Sequence, residues 1–198
     1  SPPCRSETRS AGFVRCAPDV VASLRDGTTP KGDVHAEIVI NAAGSMPGDL
    51  HKTWRVRDRR GYHVEYGYSC MGYEVPASLG IRWADPTRDV FAMVGDGGYL
   101  MMPTELVTAV QERTKVIVVL VQNHGFHSIG SLSASLGSQR YGTAYRARGD
   151  GGRLDGDRLP VDLAANARSL GAHVIEVHDR AGLEAAIAEA KAAPRSEE

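Results

Sequence analysis

The chain has 198 residues, 42% of them hydrophobic and 24% charged, and a formal net charge of −1. That is enough for one α/β domain with a proper core and hardly for two, and the balanced charge removes any electrostatic reason to expect nucleic acid or an anionic membrane as partner. No apolar run reaches bilayer-spanning length, residues 1–30 lack a signal-peptide core, and Cys4, Cys16 and Cys70 form neither a metal spacing nor a disulfide framework, so a cytoplasmic protein is expected.

Residues 1–32 show no clear periodicity, so the domain is expected over residues 33–192, with a polar tail at 193–198. Glu37-Ile38-Val39-Ile40 reads as a first strand ending at the turn Ala43-Gly44-Ser45, and Pro76 to Trp83 reads as a helix. Asp89 to Val94 is a short apolar run broken by Gly95-Asp96-Gly97, which predicts a buried strand ending in a tight turn. Leu106, Val107, Ala109 and Val110 fall at helical spacing between Pro103 and Arg113. Lys115 to Val121 is almost wholly β-branched or aliphatic, as a central parallel strand covered on both faces requires. Residues 137–160, rich in Gly, Arg and Asp, read as a surface excursion. A helix (Val161 to Leu170), a strand (His173 to Val177) and an Ala-rich helix (Arg180 to Ala192) complete the series. The expected fold is α/β, a doubly wound parallel sheet with helices on both faces.

Two short motifs carry the chemistry. Val94-Gly95-Asp96-Gly97-Gly98 and Asn123-His124-Gly125 follow the two apolar strands, and Asn123 lies 27 positions after Asp96. A strand, a helix and a second strand fit between the motifs, so a right-handed crossover places both at the carboxyl edge of the sheet. Magnesium takes oxygen ligands from one or two carboxylates and completes its shell with carbonyls, phosphates and water. Asp96 offers the charge, Asn123 an amide oxygen and Gly125 a backbone carbonyl. Gly97 and Gly98 leave backbone N–H groups where no side chain blocks a phosphate, and the helix that follows would turn its positive end to the same anion.

Gly-Asp-Gly, some two dozen residues and then Asn resembles the fingerprint of the thiamine-diphosphate-dependent enzymes. Asn41 to Lys52, Tyr62 to Glu74, Tyr141-Gly142-Thr143 and Leu154-Asp155-Gly156 are similar to one branch, the trihydroxycyclohexane-1,2-dione hydrolases of myo-inositol catabolism, relatives of acetolactate synthase and the 2-oxoacid decarboxylases. The likeness covers about residues 39 to 191 and is most specific in the first two segments.

The resemblance implies thiamine diphosphate and Mg2+ as cofactors, with Asp96, Asn123 and the carbonyl of Gly125 on the metal. It assigns Ala43, Gly44, Ser45, Gly97 and Gly98, with the backbone around His127 and Ser128, to the diphosphate. Met71 falls where the family places an apolar residue between the two cofactor rings, and the backbone around Ser69 and Met71 would meet the aminopyrimidine edge. It also implies hydrolysis of a C–C bond in a small cyclic 1,2-dione, trihydroxycyclohexane-1,2-dione to 5-deoxyglucuronate, by a homo-oligomer. An acetolactate-synthase-like or 2-oxoacid decarboxylase step, or a non-catalytic remnant, are the alternatives. The family's activating glutamate belongs to a pyrimidine-binding domain, in cis or on another subunit, so no catalytic residue is assigned here and Glu65 and Glu74 are not substitutes for it.

The remaining candidates are weaker. His51, His63, His124 and His127 include no His-x-x-x-His pair on a helix, although the loop carrying His124 and His127 must lie near the cofactor. Residues 55–60 read as a solvated basic loop, Cys70 as a buried small residue, and Met101-Met102 as core packing.

Overall fold

The computed structural model describes residues 11–16, 38–56 and 59–193. Six parallel strands form one sheet: β1 (Ala11–Cys16), β2 (Ile38–Asn41), β3 (Tyr62–Val64), β4 (Val90–Gly95), β5 (Val116–Val121) and β6 (His173–Val177), in the order β3-β2-β4-β5-β1-β6. Seven helices lie among the described residues: α1 (Ser45–Thr53), α2 (Glu74–Ala84), α3 (Asp96–Met101), α4 (Glu105–Gln111), α5 (His127–Ser135), α6 (Leu163–Ser169) and α7 (Arg180–Ala192). None of the described helices is long and apolar enough to cross a membrane.

The apolar runs sort themselves by pleat. In β5, Val116, Val118 and Leu120 join Val75, Leu79, Leu106 and Leu163 on one face, beneath α2, α4 and α6. Ile117, Val119 and Val121 join Leu183, Ala186 and Ile187 of α7 on the other, with Met46, Leu50 and Trp54 packed at its margin. Period-two alternation thus serves two cores at once, which is why these strands read as continuous apolar runs. The doubly wound architecture expected from the sequence is the one observed.

Several elements were not legible beforehand. The strand β1 falls inside the segment that showed no periodicity, yet it pairs in parallel with both β5 and β6. Helix α1 carries Pro47 and Gly48 in its early turns, residues of poor helix propensity that hide it from a sequence reading. Most of the uncertain N-terminal segment, and the polar tail beyond Ala193, lie outside the described residues.

Polar side chains cap and tether the helices. Lys115 is buried, lies 3.7 Å from Asp89, and donates from Nζ to the carbonyls of Lys191 (2.8 Å) and Ala193 (2.9 Å), so that it caps the end of α7. Asp162 and Asp179 accept from the amides of Ala165 and Gly182 and cap α6 and α7. The fully buried Tyr99 of α3 donates its hydroxyl to Asn166 Oδ1 of α6 at 2.8 Å.

The strand order reverses at β2, since β3 lies on one side of it and β4 and β5 on the other. Open α/β sheets bind ligands outside the carboxyl ends of the strands at such a point. The Tyr99 bond holds α3, which grows from the end of β4 there. Tyr99→Phe removes one hydrogen bond and leaves the Asn166 oxygen half-buried without a donor, so it should lower stability by about 1–2 kcal/mol. Urea unfolding with an unchanged slope would measure that loss, and an unchanged midpoint would show that the bond contributes nothing.

Candidate functional site

Asp96 has no exposed surface and stands where β4 passes into α3. Its Oδ1 accepts from the Gly97 amide at 3.1 Å and its Oδ2 from the Gly125 amide at 3.0 Å. One carboxylate therefore joins the loop after β4 to the loop after β5. Burial pushes the Asp96 carboxyl above the usual carboxylate range, against the pull of the amides of Gly125, His124, Gly97 and Asn123, which favour the ionised form.

The Asn123 side-chain oxygen lies 2.9 Å from the Gly125 carbonyl oxygen and 3.2 Å from Asp96 Oδ1. Adjacent ligands of an octahedron with metal–oxygen bonds of about 2.1 Å are roughly 3.0 Å apart, so each of these two distances is one that neighbouring ligands on a small hard cation could have. Without a cation, three such oxygens repel one another. Turning the carboxamide by 180° would then aim its N–H groups at both partners. The donor set suits magnesium in one orientation and satisfies itself in the other. Among the described residues no three His, Cys, Asp or Glu side chains cluster as a metal site, so the histidines gain no support as zinc ligands.

Backbone geometry makes the convergence possible. His124 and Gly125 have φ of 62° and 154°, and a Cβ on Gly125 would stand 2.3 Å from the Thr143 carbonyl oxygen. The loop is strapped there by residues 143–145: Phe126 N–H donates to the Thr143 carbonyl at 2.8 Å and Tyr145 N–H to the His124 carbonyl at 3.0 Å. The segment expected to be a surface excursion thus returns to the site. Asn123, His124, Gly125, His127, Arg140 and Thr143 line a small cavity of about 90 Å³. His127 begins α5 and is exposed, and Ser128 is half-buried beside it.

Gly97 and Gly98 are also closely packed from the protein side. Both are buried; a Cβ on Gly97 would lie 2.6 Å from ring atoms of Phe126, and one on Gly98 would lie 3.1 Å from Val94 Cγ2 and 3.4 Å from Glu74 Oε1. The Gly97 amide is also engaged by Asp96. These glycines permit close packing under the loops and are not open to solvent.

The remaining sequence-predicted residues occupy two further turns. Ala43 and Gly44 lead into α1, with Gly44 at φ 143° and Ser45 exposed. Ser69, at φ 56°, and the half-buried Met71 belong to a turn that rests on α3, where Gly72 (φ 85°) leaves no room for a side chain against Met101 and Met102. Glu65 shapes that turn by accepting from the amides of Tyr68 (3.0 Å) and Cys70. Two expectations are corrected here. Cys70 is exposed, because its amide is held by Glu65 while the turn projects from the sheet. Met101 and Met102 are 48% and 38% exposed, because they lie at the open end of α3 and cover Gly72 with only part of their surface.

One residue had no sequence signal beyond being an acid in an otherwise apolar stretch. Glu74 is 4% exposed at the start of α2, and burial pushes its carboxyl above the usual carboxylate range, against the opposing pull of nearby backbone amides. Its Oε2 has no hydrogen-bond partner.

Comparison with known proteins follows the same lines. Residues 42–196 match the family model described as thiamine pyrophosphate enzyme, C-terminal TPP binding domain. The 3D-(3,5/4)-trihydroxycyclohexane-1,2-dione hydrolase of Clostridium perfringens strain 13 is 46% identical over 154 residues, and that of Bacillus thuringiensis strain Al Hakam is 45% identical over 155. Each alignment covers 78% of this chain but 24% of the relative, so the chain spans about a quarter of the length of the curated relatives it matches. Among solved structures, the Rhodococcus jostii RHA1 thiamine diphosphate-dependent 4-hydroxybenzoylformate decarboxylase superposes with a TM-score of 0.66 at 20% identity, covering 88% of this chain and 30% of that one. That likeness concerns the fold. With the family model matching most of its length, the chain belongs to the thiamine pyrophosphate enzymes, of which it carries the C-terminal TPP binding domain.

Proposed function

We propose that this chain is the diphosphate-binding part of a thiamine-diphosphate-dependent hydrolase that cleaves a C–C bond of a cyclic 1,2-dione, converting trihydroxycyclohexane-1,2-dione to 5-deoxyglucuronate in inositol catabolism. The observation that carries the cofactor half of this reading is the approach of the Asn123 carboxamide to both the Asp96 carboxylate and the Gly125 carbonyl. The identity to the two named hydrolases supports the substrate half.

In this reading Asp96, Asn123 and the Gly125 carbonyl hold Mg2+, which neutralises the diphosphate. The turn Ala43-Gly44-Ser45, the Gly97-Gly98 backbone at the start of α3, and the backbone at His127 and Ser128 surround the same group. Met71 separates the cofactor rings, and the Ser69–Met71 backbone orients the aminopyrimidine. Thiamine diphosphate supplies a nucleophilic carbon and a place to store the electrons of the broken bond. The chain's own contribution is orientation: it anchors one end of the cofactor so that the reactive end is presented at a constant angle. The activating glutamate would come from a pyrimidine-binding domain, in cis or from another subunit of a homo-oligomer acting in the cytoplasm.

Titration calorimetry of the full chain with thiamine diphosphate and Mg2+ tests the anchor. Weak binding that requires both components is expected, with at least a tenfold loss in Asp96→Ala, because removing the only charged ligand leaves the cation two neutral oxygens. No heat from the wild type, or equal heat from the variant, would reject it.

Substrate is a separate question, answered in the protein that carries the pyrimidine-binding domain. Ring opening of the cyclic dione without turnover of 2-oxoacids is the expected result. Turnover of 2-oxoacids alone would shift the assignment to an acetolactate-synthase-like or decarboxylase step.

A further inference from the structure

The turn 140–143 closes on the start of α5 and walls the cavity of about 90 Å³ beside the Asn123–Gly125 loop. The fit is tight: a Cβ on Gly130 would stand 2.7 Å from Thr143 Oγ1 and 3.8 Å from Arg140 Cδ, so the arginine stem lies against the helix. Arg140 is pinned by its own carbonyl, which accepts from the Thr143 amide at 3.1 Å and from Thr143 Oγ1 at 2.7 Å. Its φ is 56°, a conformation that a non-glycine residue keeps only where its surroundings over-determine it. Two other arginines of this segment use their guanidinium groups on the loop itself. Arg146 donates to the Gly156 carbonyl at 2.9 Å, and Arg148 to the Gly152 carbonyl. Arg140 does not: among the described residues no carbonyl or carboxylate meets its guanidinium, and no acid lines the cavity it borders.

We propose that this cavity is a subsite for one phosphoryl oxyanion and that the Arg140 guanidinium is its cationic ligand. The inference rests on the cofactor reading above, because Asn123 and Gly125 also line the cavity and are there assigned to Mg2+. An anion seated between them and Arg140 would be neutralised from two sides. The size fits a single group: the space holds several waters and hence one tetrahedral oxyanion, but lies well below the ~300 Å³ at which pockets for whole small molecules begin. The chemistry fits as well, since a guanidinium presents a planar fork of N–H donors that matches two oxygens of a phosphate. Stability does not account for the residue, because a guanidinium that bonds nothing in the fold contributes nothing to it. Two sources can supply the group, the diphosphate of the proposed cofactor and a free phosphate.

The test uses the full chain, with NMR of the arginine Nε–H groups to locate the anion and calorimetry to weigh it. Inorganic phosphate, pyrophosphate with Mg2+ and thiamine diphosphate with Mg2+ should each move the Arg140 Nε–H resonance, whereas unphosphorylated thiamine should not. Arg140→Gln should weaken both diphosphate ligands about tenfold, the size expected for one charge-assisted hydrogen bond. Arg140→Lys should lose less, since it keeps the charge and gives up the fork. Arg113→Gln removes the same charge just before β5, at the opposite edge of the sheet, and should leave the affinities as they are. The urea midpoint of Arg140→Gln should equal that of the wild type, and a midpoint that falls together with affinity would mark a structural residue and overturn the proposal. An Arg140 resonance that no phosphate moves, or equal affinities in Arg140→Gln and the wild type, would overturn it too. A wild type that binds no thiamine diphosphate, yet whose Arg140 resonance answers to inorganic phosphate, would sink the cofactor reading and keep the subsite for a free phosphate.

Discussion

Two loops that leave the sheet from different strands meet on one carboxylate, and the rest of the site depends on that meeting. Asp96 accepts from Gly97 on its own loop and from Gly125 on the next, and has no exposed surface. A buried carboxylate without compensation would be expensive, typically several kcal/mol even after relaxation. Here the amides offset much of that penalty, but burial still leaves the carboxyl shifted upward. A divalent cation is the partner that would relieve the residual strain, because it stabilises the ionised form directly. Carboxylate, carboxamide and carbonyl are thus held ready by contacts that exist without the ion.

That readiness has a steric origin as much as an electrostatic one. The Gly125 carbonyl can point inward because the loop is strapped from behind by residues 143–145, at a distance no side chain on Gly125 would tolerate. Gly97 is small because the Phe126 ring lies on it, and Phe126 in turn meets the Tyr145 ring edge-on, 6.0 Å between centroids. Loops are usually the least constrained part of an α/β domain. These are packed like a core, which lets residues carried on loops keep a defined geometry.

The position of the site follows from topology. The sheet's order changes direction at β2, so the chain ends leaving β2 and β4 diverge and open a crevice at the carboxyl edge. The turn after β2 and the one after β4 flank it, and the turn ending at Gly72 rests on α3 beside them. The chain carries the C-terminal TPP binding domain and spans about a quarter of its curated relatives.

The amino-acid order alone was sufficient for the two strands ending in Gly-Asp-Gly and Asn-His-Gly, for the helix between them, and hence for the meeting of Asp96 with Asn123. Those features are local: β-branched runs make buried strands, and one crossover has one favoured hand. It was sufficient also for the resemblance, because Asp96, Asn123 and the stretch 62–74 are contiguous patterns. What it could not supply was everything that depends on contacts between distant segments. The strand β1 has no pattern of its own and is recognisable only because β5 and β6 lie on either side of it. The strap at 143–145 looked like an excursion because hydrogen bonds to His124 and Phe126 are made by backbone, which every residue possesses. Glu74 has no pattern of its own along the chain, and its burial beside Gly98 appears only in the fold. Residue type is read along the chain, whereas burial and the direction of an N–H are properties of the packed whole, and only tertiary structure decides them.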